Sequence, residues 1–112
     1  MDSRWKSLTD IDQLTSILSE SHWRPQLVFK HSTRCSISTM ALNRLKGLSD
    51  GFFNRADFYY LDLIAFRNIS NAIADNFHVY HESPQIILLK DGEAVYDASH
   101  LEIMPESIEK EL

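Results

Sequence analysis

The sequence predicts an α/β domain with a mixed central sheet flanked by helices, in the order β-α-β-α-β-α-β-β-α. Three observations carry this. Strand-like and helix-like stretches alternate through the first part of the chain, which requires parallel strands joined by crossover helices. Leu27-Val28-Phe29 is apolar without alternation, as in a central strand covered on both faces. Asp91-Gly92, set between two β-like runs, is a strong type I′ hairpin signal and adds an antiparallel pair.

Taken in order, Trp5-Lys6-Ser7-Leu8 reads as a short edge strand. Thr9 is suited to an N-cap, and Thr9-Asp10-Ile11-Asp12 puts acids in a first helical turn, where free N–H groups and partial positive charge favour them. Ile11, Leu14, Ile17 and Leu18 then recur at helical spacing, and the helix is expected to end near Ser21 or His22, ahead of Arg24-Pro25. Gln26 to His31 is the buried strand. The second helix is expected from Cys35 to Leu48, with Ile37, Met40, Ala41, Leu45 and Leu48 on one face and Gly51 breaking the pattern. Ala56 to Ile64 is the third strand. Arg67 to Phe77 is the third helix, carried by Ile69, Ala72, Ile73 and Phe77. Pro84 precedes the strand Gln85 to Lys90, and Glu93 to Asp97 returns from the hairpin. Pro105, acceptable in a first turn, opens a last helix to Leu112.

A chain of 112 residues fits one domain, 1–112, with no linker, repeat or low-complexity tract. Hydrophobic residues make up 44% and charged residues 24%, enough for one core and too apolar for disorder. Cys35 is the sole cysteine, which excludes an internal disulfide and points to a reducing, cytoplasmic setting. No apolar segment stands behind Met1-Asp2-Ser3-Arg4-Trp5-Lys6, so no signal peptide is expected, and no apolar run approaches membrane-spanning length. The formal net charge of −5 disfavours general nucleic-acid binding.

Cys35 follows the polar turn Ser32-Thr33-Arg34 at the head of an amphipathic segment. Peptide dipoles and free N–H groups at a helix start stabilise a thiolate, so the thiol is expected to ionise below its free pKa of about 8.5. Arg34 adds a full positive charge. Ser38, one turn along, can donate its O–H to the thiolate, and the backbone N–H groups of Ile37 and Ser38 face the sulfur.

The stretch Phe29-Lys30-His31-Ser32-Thr33-Arg34-Cys35-Ser36-Ile37-Ser38 resembles the active-site segment of the monothiol bacilliredoxins (the YtxJ-like family of the thioredoxin superfamily). Ser83-Pro84-Gln85 and Lys90-Asp91-Gly92-Glu93 fit the same family. The resemblance implies a thioredoxin-like fold, a cis Ser83-Pro84 bond facing the sulfur, and exchange of disulfides with bacillithiol. It implies bacillithiol as co-substrate with no tightly bound cofactor, bacillithiolated proteins as clients, and bacillithiol or a partner redoxin as resolving thiol. Cys35 is then the nucleophile, Arg34 and Ser38 stabilise its thiolate, and Thr33, Ile37, Ser83 and Pro84 meet the substrate. Arg34, with Lys30 or His31 as further candidates, is expected to hold the malate carboxylates of bacillithiol. Ser38 stands where dithiol thioredoxins carry their second cysteine, so the mixed disulfide cannot be resolved internally. The buried acid of those proteins is also missing from the apolar Leu27-Val28-Phe29.

Two other readings use the same residues. A monothiol glutaredoxin-like iron–sulfur carrier would share Cys35 and a small thiolate across two subunits, although such carriers have Cys-Gly-Phe-Ser where this chain has Cys-Ser-Ile-Ser. A non-catalytic thioredoxin-like adaptor would bind partners through the Pro84 surface and dispense with Cys35. His78 and His81, near Tyr80 and Glu82, lack a third ligand at metal spacing, and no metal is expected.

Overall fold

The computed structural model describes residues 3–112; Met1 and Asp2, where the stretch read for a signal peptide begins, lie outside the described residues. Five strands form one mixed sheet: β1 (Trp5–Ser7), β2 (Gln26–His31), β3 (Asp57–Asp62), β4 (Gln85–Lys90) and β5 (Glu93–Ser99). Their spatial order is β1-β3-β2-β4-β5. β1 and β2 both run parallel to β3, β4 runs antiparallel to β2, and β5 antiparallel to β4. The helices are α1 (Gln13–Glu20), α2 (Ser36–Leu45), α3 (Asp50–Arg55), α4 (Arg67–Phe77) and α5 (Pro105–Glu111), with a 3-10 turn at His100–Glu102.

β2 is buried along its whole length because helices cover both of its faces. Leu27 and Phe29 join Ala41 and Leu45 of α2, Phe58, and Ile108 of α5 in one core layer. Val28 joins Ile17, Tyr59, and Ile69 and Ile73 of α4 in the other. The two-residue alternation of a strand thus assigns neighbouring β2 residues to opposite layers. At the hairpin, Asp91 (φ 51°) and Gly92 (φ 79°) both take the left-handed region that a type I′ turn requires. Its backbone is pinned to the end of α1: Asp91 N–H donates to the Ser21 carbonyl and Gly92 N–H to Ser21 Oγ, each at 2.8 Å.

Several expectations need correction. Thr9 is not the cap of α1, which begins at Gln13 with Asp12 in the N-cap position. Gln13 Oε1 accepts the Thr9 and Asp10 N–H groups at 2.8 Å, and Asp10 Oδ1 accepts that of Asp12, so side chains hold residues 9–12 in a turn before the helix. Ile11 and Leu18, which share the helical spacing of Leu14 and Ile17, are exposed. The second helix stops at Leu45; Gly47 and Leu48 N–H groups close a turn on Arg44 and Leu45, and Ser49 takes the N-cap position of the separate helix α3. Gly51 lies inside α3 rather than breaking a helix. The buried row of α2 is Ser38, Ala41 and Leu45, while Ile37 and Met40 face outward. β3, β5 and α5 differ from expectation only at their ends.

Candidate active site

Cys35 occupies the N-cap position of α2, with extended backbone (φ −113°, ψ 123°). That position normally holds an oxygen that accepts the N–H groups of the first turn. Here no side chain caps the helix by hydrogen bonding, and sulfur stands in the oxygen's place. The first helical bond runs from Thr39 N–H to the Cys35 carbonyl at 3.1 Å, so the N–H groups of Ser36, Ile37 and Ser38 precede the ladder. Cys35 is a free thiol, partly exposed, flanked by exposed Arg34 and Thr33.

The sheet register brings the predicted elements to one end. Lys30 pairs with Gln85, which sets Pro84 opposite His31, where β2 leaves the sheet toward Cys35. The Ser83-Pro84 bond is cis, as the resemblance implies. Pro84 is buried and its carbonyl accepts the His100 N–H at 3.0 Å, tying the 3-10 turn to this loop. Glu82 pairs with His100 at 3.3 Å. Ser83 is partly buried, and its Oγ is a buried atom with no hydrogen-bond partner among the described residues.

Two expected roles change. Ser38 is fully buried, and its hydroxyl faces the end of β2 rather than the sulfur. Oγ accepts the Ser32 N–H at 2.9 Å and lies 2.9 Å from His31 Nδ1. It therefore acts on the loop and is not the thiolate donor foreseen. Lys30 and His31 are likewise unavailable to ligand carboxylates, being 0% and 4% exposed. His31 packs against Phe29 and Tyr60, and burial holds its pKa below the ordinary value of 6.5 while Asp62 and Ser38 oppose the shift. Lys30 points into the opposite layer, where Nζ meets His81 Nδ1 at 2.8 Å and Ser70 Oγ lies 3.3 Å from the same nitrogen. Desolvation lowers the Lys30 pKa from 10.5 to about 8 against the pull of Glu82. His81 is also depressed, by desolvation and then by Lys30 and Arg67. Sequence reasoning missed this pair; its signal was a lysine directly after Leu27-Val28-Phe29, in a strand covered on both faces.

The sequence model described as "Monothiol bacilliredoxin BrxC" matches residues 6–108. The chain belongs to the monothiol bacilliredoxin family. A solved structure described as having a thioredoxin fold is 32% identical, with a TM-score of 0.79, over 94% of this chain and 90% of that one. Thioredoxin O2 from Arabidopsis thaliana, in the oxidized state, is 19% identical with a TM-score of 0.76, covering 100% of this chain and 96% of its own. A Fasciola hepatica thioredoxin is 16% identical with a TM-score of 0.72 over 95% and 94%. The last two relate this chain to thioredoxins by fold. The matched segment contains both the helix that begins after Cys35 and the cis-proline loop. Among the described residues, no helix is long and apolar enough to cross a membrane.

Proposed function

We propose that the protein removes bacillithiol from mixed disulfides on client proteins, in the cytoplasm, with Cys35 as the nucleophile. The observation that carries this reading is the lone cysteine in the capping position of α2, within a chain of the monothiol bacilliredoxin family. The Cys35 thiolate attacks the bacillithiol sulfur of the mixed disulfide. That S–S bond breaks, the client leaves as thiolate, and a new S–S bond joins Cys35 to bacillithiol. One disulfide is exchanged for another without net oxidation. An external thiol, either bacillithiol or a partner redoxin, then attacks the bacillithiol sulfur and frees Cys35. Exposed Arg34 supplies positive charge for the malate carboxylates. Thr33 in the loop, Ile37 in the first turn of α2 and the backbone of Ser83 and Pro84 frame the client.

Mass spectrometry after mixing with a bacillithiolated client tests it. The expected result is one bacillithiol adduct on Cys35 with stoichiometric release of client thiol, and neither event with Cys35→Ser. A client that keeps its bacillithiol while Cys35 stays unmodified refutes the reading.

A further inference from the structure

A chain of hydrogen bonds links His31 to the backbone of the nucleophile. His31 Nδ1 lies 2.9 Å from Ser38 Oγ, which accepts the Ser32 N–H at 2.9 Å. The Ser32 carbonyl in turn accepts the Cys35 N–H at 3.2 Å. Ser32 is therefore held from both sides, by Ser38 through its N–H and by Cys35 through its carbonyl. A hydroxyl has one proton and two lone pairs. Ser32 occupies one lone pair of Ser38. Both His31 and Ser38 are buried, so the Ser38 proton has no water to turn to. A neutral imidazole with its proton on Nε2 offers Nδ1 as the acceptor, and burial of His31 favours the neutral ring. The ring itself is fixed by Phe29 and Tyr60, with centroids 5.6 Å and 5.5 Å away.

We propose that His31 is a positioning residue for Cys35: by accepting the Ser38 proton at Nδ1, it aims a Ser38 lone pair at the Ser32 N–H and so holds the Ser32–Cys35 turn that presents the sulfur. The inference rests on the exchange reaction proposed above for its choice of nucleophile. It also gives Ser38 a role: the row of α2 that faces the core needs a hydroxyl at this point, because the end of β2 brings it a ring nitrogen and a backbone N–H. A phenyl ring at position 31 keeps the bulk and stacking but leaves the Ser38 proton buried without an acceptor. The hydroxyl then rotates and the clamp on Ser32 is lost. An asparagine places an acceptor oxygen close to where Nδ1 sits.

The test uses the full chain, with His31→Phe, His31→Asn, Ser38→Ala and the double variant His31→Phe/Ser38→Ala. Cys35 alkylation by iodoacetamide is timed at neutral pH, and the wild-type His31 ring nitrogens are assigned by 15N NMR. The expected result is a proton on Nε2 in the wild type. His31→Phe and Ser38→Ala each slow alkylation about tenfold, the scale of one buried hydrogen bond. The double variant is no slower than either single one, and His31→Asn returns to within about twofold of wild type. A proton on Nδ1, a wild-type rate in His31→Phe or Ser38→Ala, or additive effects in the double variant overturns the proposal. If His31→Phe does not fold, Ser38→Ala and the wild-type tautomer decide. Iodoacetamide is a generic electrophile, so wild-type protein that takes up no bacillithiol while these variant effects persist refutes the substrate and leaves the role of His31 standing.

Discussion

Lys30→Met removes a cation that the fold holds out of water. The side chain is 0% exposed and its pKa falls from 10.5 to about 8, chiefly by desolvation. At about 1.4 kcal/mol per pKa unit, keeping it charged costs the native state about 3 kcal/mol relative to the unfolded chain. Methionine fills similar space without charge and forfeits the 2.8 Å contact with His81, worth about 1 kcal/mol. The variant is therefore expected to be more stable than wild type by about 2 kcal/mol at pH 7. The sign changes with pH. Above about 8 the native state sheds the proton while the unfolded chain keeps it up to 10.5. The unfolded state then binds more protons, so wild-type stability rises through this window relative to the variant. Near pH 10.5 the advantage of the variant is gone, and the lost contact leaves it slightly the weaker protein. Urea unfolding of both proteins between pH 7 and 10.5 measures the difference, in which the tyrosines and other common groups cancel. A stability gap that stays constant across that range refutes the argument.

Phe29→Ala empties a fully buried site where the ring meets Trp5 edge-on, and should lower stability by about 3–5 kcal/mol in denaturant unfolding; a loss below about 1 kcal/mol contradicts the packing described. Gly92→Ala forces a side chain into φ 79° at the hairpin, with its Cβ 3.4 Å from the His22 ring, and should cost about 1 kcal/mol by thermal or urea unfolding, where an unchanged midpoint would contradict the turn assignment. Arg34→Ala should slow exchange with a bacillithiolated client severalfold at low salt, and the deficit should shrink as salt screens this exposed charge; equal rates at low salt remove Arg34 from the site.

The fold was legible where a residue pattern had a single physical solution. Leu27-Val28-Phe29 could satisfy only a strand covered on both faces, and Asp91-Gly92 only a turn with two left-handed residues. Hydropathy misled where a polar residue belonged inside. Ile37 was chosen for the core row of α2 over Ser38, yet Ser38 is the buried one, because its partners come from β2 and Ser32. Lys30 and His31 looked like ligands for the same reason: a polar residue close to Cys35 in sequence suggests solvent, whereas the strand carries each residue into a different packed layer. The capping signals around Thr9 were read from the wrong side chain, since Gln13 reaches backward to the turn. Cys35 itself was placed correctly at a helix start, one residue short of being counted within the helix.

A sulfur that stands in for a capping oxygen makes the first turn of α2 depend on the chemical state of that atom. As an anion it would offer the N–H groups of that turn an acceptor; tied into a mixed disulfide it would be a neutral, poor one. Under the exchange proposed above, loading would therefore cost the helix that acceptor, and unloading would return it. The loaded form is then expected to unfold at lower temperature than the free thiol, a difference that thermal unfolding of the two forms measures.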